Sequence, residues 1–420
     1  MFQITTLDNG LRIVTSSMPH TRSVTISFFV GAGSRYEQPE KAGISHFVEH
    51  LCFKGTSRRR SAKEISEAIE GVGGMLNGGT DRELTIYWCK VPRPHFALAL
   101  DVLVDMLRNS TFDADEVEKE RKVIIEELNM VMDSPQQLVD VLIDGVIWPD
   151  QALGRDVAGS KETVNGLDQA ALVEYLNRQY TPDNTVLSVA GNVEHEEVVE
   201  AIRQAMSDWA PGSPSSWIPA ENGQSAPRLR VQPRKTEQAH VCVAVQGLSS
   251  QHPDRFNLDV LNIVLGEGMS SRLFLEVREK RGLAYDIHSY VSHFRDAGAL
   301  TVYAGVDPSR AGAAIEAIVT ELSRLKDGVP PAEVEKAKEL TKGRLLLRME
   351  DTRSVASWIG GQELLNGHIR TVDDVVDIVD AIKTEDLQRV AQELLITDKL
   401  NLAVVGPFRS EKRFTELLKI

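Results

Sequence analysis

The sequence His46-Phe47-Val48-Glu49-His50 decides how the rest of the chain is interpreted. On a helix, His46 and His50 lie about 40° apart and point to the same side, while Glu49 lies about 60° from that pair. The side chains around them are apolar on nearly every face: Phe47, Val48, Leu51, Cys52 and Phe53. The segment therefore predicts a buried helix that carries two metal ligands and a carboxylate beside them.

This spacing is the H-E-x-x-H motif of zinc-binding helices read in reverse, and the reversal preserves the angles between the three side chains. A bound zinc ion would satisfy polar groups that are otherwise costly to bury. The alternative is a core helix with two hydrogen-bonded histidines and an unrelated glutamate. A third ligand elsewhere in the chain would favour zinc.

A second helix supplies a candidate for that ligand. Asp113, followed by Glu116 three residues later, predicts the start of a long helix that continues to Met132. Its core-facing stripe combines apolar residues with two glutamates: Val117, Glu120, Ile124, Glu127, Leu128 and Val131. Buried carboxylates need a cation or strong donors, whereas Glu126 shares its face with lysines. Glu127 is therefore the better third ligand, and a charged helix with an irregular stripe is the alternative.

The composition is typical of a globular protein, since 42% of the residues are hydrophobic and 26% are charged. A chain of 420 residues predicts about two to four domains. No apolar run is long enough to span a bilayer, so we expect no membrane partner. The net charge of −14 argues against nucleic acid as a partner and is compatible with cationic peptides.

Cysteine usage and the N-terminus indicate the compartment. Cys52, Cys89 and Cys242 suit a reducing environment and do not have the spacing of a zinc-ligand cluster. The first residues run directly into a hairpin pattern with an Asn9-Gly10 turn, and they lack the charged and apolar regions of a signal peptide. We therefore expect a cytoplasmic protein.

The segment from Gly73 to Thr80 contains many glycines and precedes an alternating strand at Glu83–Val91. Two interpretations remain open for it. The first is a plain turn, which glycine favours. The second is a lone edge strand that receives an extended peptide by strand addition.

The chain contains one pattern of elements twice. Val24–Gly33 resembles His240–Gly247, Ser45–Phe53 resembles Phe256–Leu265, and Leu84–Leu107 resembles Leu300–Leu325. We predict an α+β protein with two homologous α+β domains, each an antiparallel sheet backed by helices. The expected metal-binding domain is residues 1–210, followed by a linker rich in Pro and Ser at 211–228 and a second domain at 229–420.

The second domain lacks the histidine pair and carries another unusual stretch, Ser271–Tyr285. Its periodicity predicts a short amphipathic helix that ends at Gly282. On these residues alone, a surface helix with solvated arginines explains the pattern.

Three segments together resemble the M16 family of zinc peptidases. They are His46–His50, the run Glu120–Glu127, and the stretch from Arg278 to Gly282-Leu283-Ala284-Tyr285. They occur in the order and spacing of that family, and the similarity extends over the whole chain. Within that family, the chain resembles the small bacterial members related to the β subunit of the mitochondrial processing peptidase.

The resemblance implies the roles of individual residues in an LuxS/MPP-like metallohydrolase fold. It implies one zinc ion per chain, bound by His46, His50 and Glu127, with Glu49 as general base and Glu120 as a supporting acid. It also implies that Arg278 and Tyr285 hold the substrate and polarise the scissile carbonyl. Asn77 and Gly78 occupy the place of an Asn-Ala pair on the substrate-binding edge strand, and we do not expect this glycine to abolish binding.

The function that the resemblance implies is zinc-dependent endopeptidase activity on peptides or unfolded segments in an enclosed chamber. Because one chain carries both the zinc residues and the Arg278/Tyr285 pair, we expect a homodimer with shared active sites. The alternative is a non-catalytic scaffold or the partner subunit of a paired M16 assembly. Within the enzyme class, a processing role and a degradative role both remain open.

Overall fold

The computed structural model describes residues 2–420. Its strands are β1 (Phe2–Thr6), β2 (Arg12–Ser17), β3 (Ser23–Val30), β4 (Met75–Thr80), β5 (Thr85–Pro92), β6 (Thr185–Gly191), β7 (Arg228–Pro233), β8 (Ala239–Gln246), β9 (Ala284–His293), β10 (Gly298–Val306) and β11 (Leu400–Gly406).

The helices of the first half are α1 (Ile44–Cys52), α2 (Ala62–Glu70), α3 (Phe96–Asn109), α4 (Ala114–Asp133), α5 (Pro135–Ile147), α6 (Lys161–Gly166), α7 (Gln169–Gln179) and α8 (His195–Met206). Those of the second half are α9 (Arg255–Gly266), α10 (Ala311–Leu325), α11 (Pro331–Arg348), α12 (Thr352–Asn366), α13 (Val372–Ala381), α14 (Thr384–Leu394) and α15 (Lys412–Thr415).

The chain divides into two compact units that do not follow the sequence in simple order. Unit 1 comprises Met1–Leu128, Asp156–Ile218 and Leu346–Thr371. Unit 2 comprises Asn129–Arg155, Pro219–Leu345 and Val372–Ile420. Each unit therefore contains one helical segment from the other half of the sequence, α12 in unit 1 and α5 in unit 2.

Unit 1 is built on a sheet with the strand order β1-β2-β6-β3-β5-β4. Its neighbouring strands are antiparallel except for the parallel pair β2 and β6. The alternation of β3 places Ile26 and Phe28 in the large core with α1 and α3, while Phe29 packs on the opposite face with α12. A Cβ at Gly360 of α12 would lie 2.4 Å from the Phe29 ring, so the close approach of helix and sheet requires glycine there.

Unit 2 repeats this topology with the order β7-β11-β8-β10-β9. The pair β7 and β11 is parallel and the other neighbours are antiparallel. Helix α5 packs on β8 and β11, where its apolar face meets Cys242, Ala244 and Ala403. The order β2-β6-β3-β5-β4 in unit 1 thus corresponds strand by strand to the order β7-β11-β8-β10-β9 in unit 2. This confirms the predicted α+β class with two similar halves.

The glycine-rich segment forms the strand β4, which pairs with β5 and lies at the edge of the unit 1 sheet. Met75–Thr80 is therefore an edge strand and not a plain turn, and the addition of a peptide to this strand stays a prediction. Within residues 2–420, no helix has both the length and the apolar character that a membrane crossing requires.

Candidate metal centre

Helix α1 begins at a fixed position because a residue that precedes the helix, Glu37, caps its N-terminus. The Glu37 carboxylate accepts hydrogen bonds from the backbone N–H groups of Gly43 and Ser45, at 2.9 and 2.8 Å. These N–H groups have no partner within the helix, and a negative charge is favourable at this end. Gly43 has a φ of +92°, which glycine adopts without strain. Glu37 therefore helps to fix where the histidines of α1 lie.

His46 and His50 bring their Nε2 atoms to within 3.2 Å of each other, as their spacing on α1 predicts. The Oε2 atom of Glu127 on α4 lies 3.8 Å from His46 Nε2 and 3.6 Å from His50 Nε2. One ligand atom from each of the three residues thus lies within 4.8 Å of the other two. Glu126 is exposed.

These distances fit a zinc ion. Ligands about 2.0–2.1 Å from a tetrahedral zinc ion lie about 3.3 Å from one another, close to the observed separations of 3.2 to 3.8 Å. The chemistry of the donor atoms agrees. Two imidazole nitrogens and a carboxylate oxygen converge, no other side chain among residues 2–420 donates a hydrogen bond to them, and a cation would satisfy all three.

A second layer of residues orients His50. Its Nδ1 atom lies 3.1 Å from Oε2 of Glu120, and Nζ of Lys54 donates to the other Glu120 oxygen at 2.8 Å. When Nδ1–H donates to Glu120, the lone pair of Nε2 is free for a metal. Burial of Glu120 raises its carboxyl pKa, but the hydrogen bonds from His50 and Lys54 outweigh that effect and lower it.

The pKa values of the two histidines are shifted in opposite directions. Burial, together with the nearby charge of His50, lowers the pKa of His46 to about 4. Burial also disfavours a charge on His50, but the hydrogen bond to Glu120 and the charges of Glu127 and Glu49 outweigh it and raise its pKa. One histidine is thus held neutral, while acidic groups surround the other.

Glu49 lies beside this centre on the same helix and is only 9% exposed. Its Oε2 accepts a hydrogen bond from the hydroxyl of Thr80 on β4 at 3.2 Å. Burial raises the pKa of the Glu49 carboxyl above its usual value. A buried carboxylate with a raised pKa accepts a proton more readily than an ordinary carboxylate and can return it later.

The edge strand β4 approaches this carboxylate at a second point. A Cβ at Gly78 would lie 3.0 Å from Oε1 of Glu49 and 2.9 Å from the Phe53 ring, so the glycine lets strand and helix approach closely. Asn77 is exposed, and its side chain accepts a hydrogen bond from the Gly78 N–H at 2.8 Å.

Arg278 and Tyr285 lie together in unit 2. Arg278 is in a π-helical segment, Phe274–Lys280, and Tyr285 is at the start of β9. The Arg278 guanidinium lies 5.8 Å from the centre of the Tyr285 ring and 4.7 Å from that of Phe274. Tyr285 is 77% exposed, which is a high exposure for a large aromatic side chain. Gly282, with a φ of +57°, stands at the turn between the two elements, where the sequence predicted the helix to end.

Sequence reasoning did not single out Lys54 or Thr80. Lys54 follows His50 by four residues, about one helical turn, and this spacing could have predicted that it lies near His50. Thr80 lies 31 positions from Glu49, and no pattern in the sequence relates the two.

Comparison with known proteins identifies the family. Residues 12–161 match the family model described as insulinase (peptidase family M16), and residues 166–341 match that of the peptidase M16 inactive domain. The chain belongs to the M16 peptidase family. This confirms the resemblance that the three sequence motifs indicated.

Relatives within the M16 family match along nearly their whole length. An uncharacterized zinc protease of Bacillus subtilis is 40% identical over 403 residues, which cover 96% of this chain and 97% of the relative. An uncharacterized zinc protease of Mycobacterium tuberculosis is 36% identical over 421 residues, covering 99% and 95%.

Solved structures share the M16 fold at low sequence identity. A protease from Helicobacter pylori has a TM-score of 0.93 at 24% identity, covering 97% of this chain and 99% of the other. A chain in the structure of complex III2 from Candida albicans has a TM-score of 0.86 at 21% identity and is covered completely, as is this chain. These two similarities concern the fold alone.

Proposed function

We propose that this M16 protein is a zinc-dependent endopeptidase that cleaves peptides or unfolded segments in an enclosed chamber. The observation that carries the proposal is the convergence of His46, His50 and Glu127 beside the buried carboxylate of Glu49. Three protein ligands leave one position of a tetrahedral zinc ion open, which is the arrangement of catalytic rather than structural sites.

In this proposal His46, His50 and Glu127 hold one zinc ion per chain. When bound, the ion supplies a Lewis acid that makes water more acidic and polarises a carbonyl group. Glu49 accepts the proton of the attacking water as general base and later delivers it to the nitrogen of the leaving amine. Glu120 keeps His50 oriented through its Nδ1 atom.

The substrate is proposed to bind as an extended strand along β4. An edge strand offers unpaired backbone groups to a peptide, so affinity derives from the main chain and depends little on sequence. Asn77 and Gly78 lie on this strand. Arg278 and Tyr285 would hold the substrate and stabilise the developing oxyanion.

We further propose a homodimer in which each zinc site uses the Arg278/Tyr285 pair of the other copy. The support is that one chain of 420 residues carries both sets of residues. We propose that the sequence divides into a catalytic domain at 1–210, a linker at 211–228 and a second domain at 229–420, with α5 packed in unit 2 and α12 packed in unit 1. A cytoplasmic location is proposed because all three cysteines are buried and free.

The second candidate function is that of a non-catalytic scaffold or partner subunit. The match of residues 166–341 to the family model described as the peptidase M16 inactive domain favours this alternative. The zinc-binding residues and Glu49 distinguish the two functions, because a scaffold does not require a general base beside a metal centre.

The test is zinc content by elemental analysis together with cleavage of an unfolded, quenched-fluorescent peptide, with and without a chelator. We expect about one zinc per chain and cleavage that the chelator abolishes. Glu49→Gln should keep the zinc and lose turnover, because an amide cannot accept the proton. Zinc without cleavage in the wild type would favour the scaffold, and full activity of Glu49→Gln would remove Glu49 from its role.

A further inference from the structure

The carboxylate of Glu49 is held by β4 as well as by its own helix. The Thr80 hydroxyl lies 3.2 Å from Oε2, and the backbone at Gly78 lies close to Oε1. A general base must point one oxygen at the proton that it accepts, and a free carboxylate can rotate about its last side-chain torsion. The contact with Thr80 restricts that rotation.

The proton of the Thr80 hydroxyl is available for this contact. Its neighbour Thr85 donates to the backbone oxygen of Ala32 at 3.1 Å and lies 3.4 Å from Thr80 Oγ1. Each hydroxyl has one proton to donate. With the Thr85 proton directed to Ala32, the shortest contact left to the Thr80 proton is the Glu49 carboxylate.

Thr80 is itself fixed in place. It pairs with Thr85 at the end of the ladder between β4 and β5. The following turn is tied to the segment before α1, because the Arg35 N–H donates to the Arg82 oxygen at 2.9 Å. A salt bridge of 2.6 Å between Arg35 and Glu83 adds a second tie. The hydroxyl therefore belongs to a rigid part of unit 1.

We propose that Thr80 is a positioning residue that orients the Glu49 carboxylate from the strand along which the peptide binds. The inference rests on the proposed function. Its consequence is that one strand serves both substrate pairing and alignment of the base, because Thr80 lies on β4 with Asn77 and Gly78. Thr80 thus acts through Glu49, and its removal should affect turnover more than binding.

The experiment compares Thr80→Val with Thr80→Ser in the full-length protein, using a quenched-fluorescent peptide and elemental analysis. Thr80→Val removes the hydroxyl at nearly constant volume, and we expect kcat to fall about tenfold to 100-fold with KM and zinc content unchanged. Thr80→Ser keeps the hydroxyl and should recover most of kcat. Thr25→Val is the matched control, because Thr25 is a buried threonine whose hydroxyl contacts Thr352 at 2.9 Å.

A second measurement does not depend on activity. In the metal-free protein, the effect of Thr80→Val on the unfolding midpoint is compared with its effect in a Glu49→Ala background. We expect a smaller shift in that background, since the contact is already lost. An active wild type whose Thr80→Val variant keeps its kcat would overturn the positioning role, as would equal shifts in both backgrounds. If the wild type is inactive but the two midpoint shifts differ, the result contradicts the peptidase proposal. It still supports the contact between Thr80 and Glu49.

Discussion

His50 Nδ1 lies 3.1 Å from Oε2 of Glu120, and this contact decides which nitrogen of His50 faces Glu127 and His46. The ring has only two nitrogens, so a donor bond from Nδ1 leaves Nε2 as the ligand atom. Lys54 holds the other oxygen of Glu120 at 2.8 Å. Orientation of the proposed zinc ligand therefore depends on a chain of three residues, of which Glu120 is buried and His50 and Lys54 are partly exposed.

We predict that Glu120→Gln lowers zinc affinity about tenfold to 100-fold without removing a ligand. The amide keeps an oxygen that can accept from His50, but it loses the charge that attracts Lys54 and stabilises the ligand. Competition with a chromophoric chelator measures the affinity. Glu116→Gln on the same helix is the control, and equal affinities for the two variants would contradict the role of Glu120.

Glu127→Gln should lower zinc affinity by at least about 100-fold, because Glu127 is proposed as a direct ligand and not as an outer residue. Glu126→Gln is the matched control one position earlier on α4, where the side chain is exposed. Both variants remove one negative charge, so the comparison separates the effect of losing a metal ligand from the effect of losing a charge. Elemental analysis after dialysis distinguishes them, and the reverse order would show that the neighbouring acid binds the metal.

Helical periodicity was sufficient to predict most of this centre. His46, Glu49, His50 and Glu127 lie on two helices, where a fixed rotation per residue converts spacing into a shared face. Thr80 could not be predicted, because its contact with Glu49 depends on how β4 packs on α1. The same limit applies to α5 and α12, since an apolar helical face does not specify which of two similar sheets it covers.

Gly78→Ala introduces the Asn-Ala pair that the M16 resemblance implies, and it should retain zinc and lower kcat by no more than about threefold. The added methyl group would lie 3.0 Å from Oε1 of Glu49, so either the carboxylate or the Phe53 ring has to move. Gly79→Ala adds the same group to the same strand but meets only Ile86, at 4.0 Å, and should have a smaller effect. Unchanged kcat in Gly78→Ala would mean that Phe53 moves instead.

Asp140→Asn should raise the unfolding midpoint at pH 7 by about 2–4 °C. Burial raises the pKa of Asp140, although hydrogen bonds from Cys242 and Tyr290 oppose the shift. A folded-state pKa above the ordinary 3.8 means that the folded state binds this proton more tightly. The free energy of unfolding therefore falls as pH rises through the folded-state pKa, because the buried carboxylate becomes charged. Asparagine has no charge at any pH and does not lose this stability. The difference between variant and wild type should shrink as pH falls towards 3.8, and a constant difference would contradict it.

Mixing Glu49→Gln subunits with Arg278→Ala subunits should restore activity if the sites are shared between copies. In a mixed dimer, the intact Glu49 of one chain would act with the intact Arg278 of the other, which completes one of the two sites. Since half of the dimers in an equal, exchanging mixture are mixed, the expected recovery is about a quarter of wild-type activity. Subunit exchange is verified with two affinity tags, and each variant alone gives the baseline. If tagged subunits exchange and no activity returns, each zinc site uses the Arg278 of its own chain.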